Sequence, residues 1–240
     1  MTFTDDAWAA IADVRQAIDA HPLLTGLHDG TLDREVFVGY LAQDAQYLAA
    51  YGRVLAGCAT QATDAAETAF WALRAHQAVA VERALHQSHL AGAEPAEPSP
   101  TCLGYASYLW SLSAQGAYPV LVAGLLPCFW IYDDVGRRFS EQAGDLSRHP
   151  YGDWIGTYGD PAFTEATGQV REITDRLAQE SGPQVRQRML VAFVTASRYE
   201  WMFWDAAWRR ERWPVQLTPR PTRAGRRAGS PGPGTWPRGC

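Results

Sequence analysis

The sequence contains no lysine; all 21 of its basic residues are arginine. Schiff-base chemistry, which needs a lysine amine, is therefore excluded. Cysteine is sparse. Cys58, Cys102, Cys128 and Cys240 lie far apart and form no CxxC pair, so neither a disulfide frame nor a zinc site is expected, and free thiols in a reducing cytoplasm fit best. No apolar run reaches the roughly 18 residues that cross a bilayer. The opening MTFTDDAWAAIADV lacks the basic and apolar regions of a secretory signal. The expectation is a soluble, cytoplasmic chain with no membrane partner. No run of β-branched residues alternates with period two, so no sheet is expected.

Acid exceeds base, unevenly. The formal net charge is −5, yet residues 214–240 carry Arg220, Arg223, Arg226, Arg227 and Arg238 and no acid, which leaves the rest of the chain at −10. An acidic body argues against nucleic acid as a partner.

What is present is apolar and aromatic. Hydrophobic residues make up 47% of the chain, with 10 Trp, 10 Tyr and 8 Phe, which excludes disorder and supplies a large core. Up to Trp213 these residues are spaced for helices. Phe37, Tyr40, Leu41, Asp44, Tyr47, Leu48 and Tyr51 recur at three and four, and so do Leu121, Leu125, Cys128 and Tyr132. HPLL, HDGTLD, AEPAEPSPT, RHPYGD, GDPAF and ESGPQV punctuate the chain, with Thr101 placed to cap the helix after the third of them. The pattern predicts an all-α protein, a single domain over residues 1–213 with about seven or eight helices. From residue 214 Pro, Gly and Arg dominate, and a disordered tail is expected over 214–240, with Cys240 an exposed thiol at its end.

Polar groups on the apolar stripes are the candidate chemistry. Asp44 faces inward on its helix, and a buried carboxylate must be paired, protonated or bound to a ligand. A hydrogen bond to a tyrosine is the plain alternative to ligand binding. Glu200 is flanked by Tyr199 and Trp201. Apolar surroundings would raise its pKa and fit it for general acid work; a half-exposed Glu200 would simply pair with Arg198. Cys128 follows Pro127 in LLPCFWIY. The proline removes a backbone donor and tends to kink the helix, and Tyr132 shares the face of the thiol. Cys128 is then either core filling or a nucleophile on a pocket wall that Pro127 helps turn inward.

Tyr105, Tyr108 and Tyr158 add phenols. A thiol, two carboxylates and several phenols together suit a flat, nitrogen-rich heterocycle. Glu82, His86 and His89 share a helical face, but the Glu-to-His spacing is not that of paired-carboxylate iron bundles and no second copy occurs. A solvated face, with no metal, is expected there. His21 and His28 are loop or cap candidates, with haem ligation not expected.

HPLL with DGTL, F-x-x-Y-L-x-Q-D-x-x-Y-L at 37–48, SPT-x-x-x-Y at 99–105, LLPCFWIY at 125–132, YGDWIGTYG at 151–159 and YEWMFWDAAW at 199–208 occur in that order. In this set the sequence resembles the TenA/thiaminase II family over about residues 7–213, in its cysteine-containing branch. The resemblance implies a haem oxygenase-like helical fold and a homotetramer. It implies a thiamin-salvage hydrolase that turns 4-amino-5-aminomethyl-2-methylpyrimidine into 4-amino-5-hydroxymethyl-2-methylpyrimidine and ammonia, with thiamin as a second substrate and no cofactor. By position it assigns the nucleophile to Cys128 and the handling of the ring proton to Glu200. It assigns the amino-pyrimidine edge to Asp44, with Tyr47 beside it, and supporting roles to Tyr105, Tyr132 and Tyr158. The alternative is a non-catalytic pyrimidine-binding or regulatory protein on the same fold, which needs Asp44 and the aromatics but no thiol. The residues beyond Trp213 lie outside the resemblance.

Overall fold

The computed structural model describes residues 1–89 and 96–215, with the backbone alone over 81–89. The side chains of Glu82, His86 and His89, and residues 216–240 of the expected tail, lie outside the described residues. Ten α-helical segments carry the described chain, and no strand occurs among those residues. They are α1 (Phe3–Ala10), α2 (Ala12–Asp19), α3 (Pro22–His28), α4 (Arg34–Gln61), α5 (Ala65–His89), α6 (Pro100–Ala114), α7 (Tyr118–Gln142), α8 (Gly152–Tyr158), α9 (Pro161–Glu180) and α10 (Pro183–Trp208). The all-α expectation holds, with more segments than the seven or eight read from the sequence. Ile11 divides the first helical run, and α3 and α8 are seven residues each, too short to display a helical period.

The prolines of the punctuating motifs begin helices. Pro22, Pro100, Pro161 and Pro183 each occupy the first turn, where the missing N–H costs nothing. His21 caps α3 by accepting the Leu23 N–H, and Asp160 caps α9 by accepting that of Ala162. At α6 the cap is Ser99, whose hydroxyl accepts from the Cys102 N–H, and not Thr101 as the sequence suggested. Pro100 holds the first helical position, which pushes Thr101 one residue inside the helix. There its N–H and hydroxyl both donate to the Glu211 carboxylate, at 2.9 and 3.1 Å, tying α6 to the chain beyond α10.

Helix α7 runs through the middle, buried without a break from Val120 to Pro127. It is the one described helix long and apolar enough to cross a membrane, but 83% of its apolar window is buried against the rest of the chain. Its interior is a protein core. The helix continues unbroken through Pro127, so ordinary helical period suffices to put Cys128 and Tyr132 on one face. Beside it, Trp8 stacks on Trp130 at 4.1 Å, with Arg15 over the outer face of one ring and Arg171 over that of the other. The ring stack holds α1 against α7, and the two cation–π contacts add α2 to α1 and α9 to α7.

Helix α8 lies closer to α7 than any side chain would allow. A Cβ on Gly136 would stand 2.4 Å from the Tyr158 carbonyl carbon, and one on Gly159 would stand 2.7 Å from the Ser140 Cβ. The glycine of α7 therefore sets the position of Tyr158. Gly136→Ala should cost about 1–3 kcal/mol through overpacking and lower Tm by several degrees. Gly39→Ala, where a Cβ meets nothing within 4 Å, should leave Tm unchanged or raise it slightly. Thermal denaturation of the two variants side by side checks this.

Candidate active site

Between α4, α5, α7, α8 and α9 lies a cavity of about 510 Å³. Helix α4 turns Asp44, Tyr47 and Tyr51 toward it, α7 contributes Cys128 and Tyr132, and α8 contributes Tyr158. Asp44, Tyr47 and Tyr51 reach it because they sit three and four residues apart on the face that α4 buries.

Glu200 approaches from α10 and is 1% exposed. It is not the half-exposed partner of Arg198 that the plain reading offered. The Tyr105 hydroxyl, from α6, donates to its Oε1 at 2.5 Å. Burial lifts the Glu200 pKa to about 8, the charge of Asp44 adds to the rise, and the Tyr105 hydrogen bond opposes it. Glu200 therefore keeps its proton at neutral pH and is able to donate it.

Cys128 is also pushed up, well above the ordinary thiol value. Burial is the main cause, followed by repulsion from Glu200, with Asp44 adding a little; the Tyr47 and Tyr51 hydroxyls pull the other way. The resting group is a thiol, and thiolate must be made during any reaction. Tyr51 donates to the Leu125 carbonyl at 3.1 Å, in the turn of α7 that precedes Cys128. Tyr47 lies near enough to favour the thiolate, but its buried hydroxyl forms no well-made hydrogen bond within the chain.

The remaining phenols form a connected wall. The Tyr132 and Tyr40 hydroxyls are 3.1 Å apart, and Trp154 Nε1 donates to Tyr40 at 3.3 Å. The Tyr158 ring lies 4.7 Å from that of Tyr132. Burial raises the pKa of all three tyrosines, so this wall is neutral and suited to stacking and hydrogen bonding. The structure thus brings together Cys128, Asp44, Tyr47, Tyr132 and Tyr158 around the cavity, with Glu200 and Tyr105 as a bonded pair beside it. Tyr108 stands apart, with its ring near Tyr199. Sequence reasoning assigned no role to Tyr51 or Tyr40. The signal for both was present, since they share the α4 stripe with Asp44, but a stripe does not say which phenols reach a cavity.

His21 is a structural residue. It caps α3 and its Nε2 stands 3.8 Å from Asp205 Oδ1. Among the described residues, no three His, Cys, Asp or Glu side chains converge as a metal ligand set.

The family model described as TENA/THI-4/PQQC matches residues 8–210. Aminopyrimidine aminohydrolase of Bacillus subtilis is 33% identical over 220 residues, covering 89% of this chain and 92% of that protein. Thiamine biosynthesis multifunctional protein ThiED of Corynebacterium glutamicum is 36% identical over 207 residues; these are 86% of this chain but only 27% of that longer protein. Among solved structures, a TenA homologue from P. horikoshii OT3 superposes with a TM-score of 0.76 at 26% identity, covering 87% of this chain and 99% of that one. A protein of heme oxygenase-like fold from Shewanella denitrificans OS217 shares the fold, with a TM-score of 0.67 at 14% identity over 88% of this chain and 93% of that one. The match spans nearly all of the described helical body, and the chain belongs to the TENA/THI-4/PQQC family.

Proposed function

We propose that the protein is a thiamin-salvage hydrolase of aminopyrimidines, with Cys128 as nucleophile and Glu200 as the acid. The observation that carries this reading is a thiol on the cavity wall near a carboxylic acid that keeps its proton at neutral pH. The likeness to an aminopyrimidine aminohydrolase over 89% of the chain supports the substrate class.

In this reading Asp44 accepts hydrogen bonds from the 4-amino edge of the pyrimidine and fixes its register. Tyr47, Tyr132 and Tyr158 hold the ring. Glu200 protonates a ring nitrogen while the Cys128 sulfur bonds to a ring carbon, which breaks aromaticity and lets the amine on the 5-methylene leave as ammonia. Water adds to the exposed methylene, and loss of the thiol restores the ring as 4-amino-5-hydroxymethyl-2-methylpyrimidine. With thiamin the thiazole is the leaving group. The scheme uses no metal or organic cofactor. Exposed Leu103 and Trp110 on α6, with Val191 and Met202 on α10, are apolar surface suited to a homo-oligomer, and a tetramer in the cytoplasm is the assembly we favour.

Incubation with 4-amino-5-aminomethyl-2-methylpyrimidine, and separately with thiamin, should yield the hydroxymethylpyrimidine. Cys128→Ser should lower kcat about a thousandfold or more, and Glu200→Gln about 10²–10⁴-fold. Tight pyrimidine binding without any turnover would make the protein a carrier instead. Because the protonated form of Glu200 acts, kcat/KM should fall as pH rises through about 8. The Tyr105 hydrogen bond favours the charged form, so in Tyr105→Phe the residual activity should fall at a higher pH than in the wild type. Paired pH–rate profiles measure the displacement.

A further inference from the structure

Cys128 and Glu200 both hold protons at neutral pH, so the sulfur can add to a ring only if its proton is taken within the cavity. Tyr51 is committed to the Leu125 carbonyl. Tyr47 has no such commitment to the backbone: its buried hydroxyl reaches both the Cys128 thiol and the Tyr105 hydroxyl, yet makes a well-formed hydrogen bond to neither. A buried hydroxyl in that state is costly to keep, and such groups call for a functional explanation. The Tyr47 ring stacks on that of Tyr105 with centroids 4.8 Å apart and planes at 25°. The Tyr105 hydroxyl already donates to Glu200 at 2.5 Å. The phenols therefore form a row from the thiol to the carboxyl group. Electrostatics agree, since the Tyr47 hydroxyl favours the charged form of both Cys128 and Tyr105.

We propose that Tyr47 and Tyr105 relay the proton of the Cys128 thiol to Glu200. The relay rests on the hydrolase reading above for its substrate. In the addition step a bond forms between Cys128 Sγ and a ring carbon, and the ring nitrogen takes the Glu200 proton. The vacated carboxylate takes the Tyr105 proton, Tyr105 takes that of Tyr47, and Tyr47 takes that of the thiol. Both phenols end as they began, Glu200 is protonated again, and the net change is addition of S–H across a ring C=N bond. The same row run backwards returns a proton to sulfur when the thiol leaves.

Facing the row are Asp44 of α4, Glu200 of α10 and Tyr158 of α8, with Arg74 of α5 and Glu165 of α9 also on the cavity wall. The test is the rate at which iodoacetamide alkylates Cys128 in the full chain from neutral to alkaline pH, read from the mass of the peptide that holds it. In the wild type the rate should climb with a midpoint of about 8, as the Glu200 carboxylate becomes able to accept the proton. Tyr47→Phe, Tyr105→Phe and Glu200→Gln should each lose that climb. At its top, Tyr47→Phe should react about a hundredfold more slowly than wild type, the low end for removing a positioned proton acceptor. Tyr47→Phe removes a hydroxyl that makes no well-formed hydrogen bond, so an undiminished Tm should accompany the loss. A climb that survives in Tyr47→Phe overturns the relay. A Tyr47-dependent climb in a protein that turns over no pyrimidine supports the relay and refutes the hydrolase reading; turnover with a Tyr47-independent climb refutes the relay alone.

Discussion

The cost of ionising a carboxyl group away from water governs this protein. Glu200 has 1% of its surface exposed and a pKa near 8, a state that lasts only while water is kept out on every side. Three features supply that exclusion. Helix α10 carries Glu200 into the interior, α6 brings Tyr105 to its oxygen, and the stacked rings of Tyr47, Tyr105 and Tyr199 close the space around it. Burial also raises the thiol of Cys128, which is half-buried on the cavity wall, so Glu200 and Cys128 both keep their protons at neutral pH. The groups that share these surroundings are mostly phenols, which hydrogen-bond without carrying charge.

Position is the second requirement, and backbone contacts meet it. Asp44, Cys128 and Glu200 come from α4, α7 and α10, each at least 25 residues long, so the reactive groups stand on rigid supports. The shorter elements are locked by close approach. Gly136 and Gly159 let α8 press its Tyr158 against the cavity, and Gly152 sits where a Cβ would be 1.9 Å from the Leu146 carbonyl oxygen. Gly152 and Gly159 of YGDWIGTYG are thus spatial requirements of the pocket wall, whereas a Cβ on Gly156 would meet nothing within 4 Å. Thr101 and Glu211 perform a similar service for α6, whose only direct contribution to the acid is Tyr105.

Much of this was legible in the residue order. The stripe of α4 and the punctuation by HP, SP, DP and GP pairs are local features, and they led to the right fold class and to the starts of α3, α6, α9 and α10. Where reading failed, a short-range competition had decided the outcome. Ser99 and Thr101 are both good caps, and the proline between them selects the first by claiming the opening helical position. The site residues stood out because they are polar interruptions of apolar faces. Tyr51 and Tyr40, which interrupt nothing, passed as core.

The sequence by itself determined the all-α class and the apolar faces of the long helices, with Asp44 and Cys128 among the residues on them. Those follow from periodicity, a property of neighbours along the chain. Only the tertiary structure decided that Glu200 is sealed and protonated rather than half-exposed beside Arg198. It alone decided that Tyr105 rather than Tyr108 bonds to Glu200, and that the Tyr47 hydroxyl lies between the Cys128 thiol and Tyr105. Desolvation depends on every helix packed around a group, and no pattern along one helix records what the other helices bring to it.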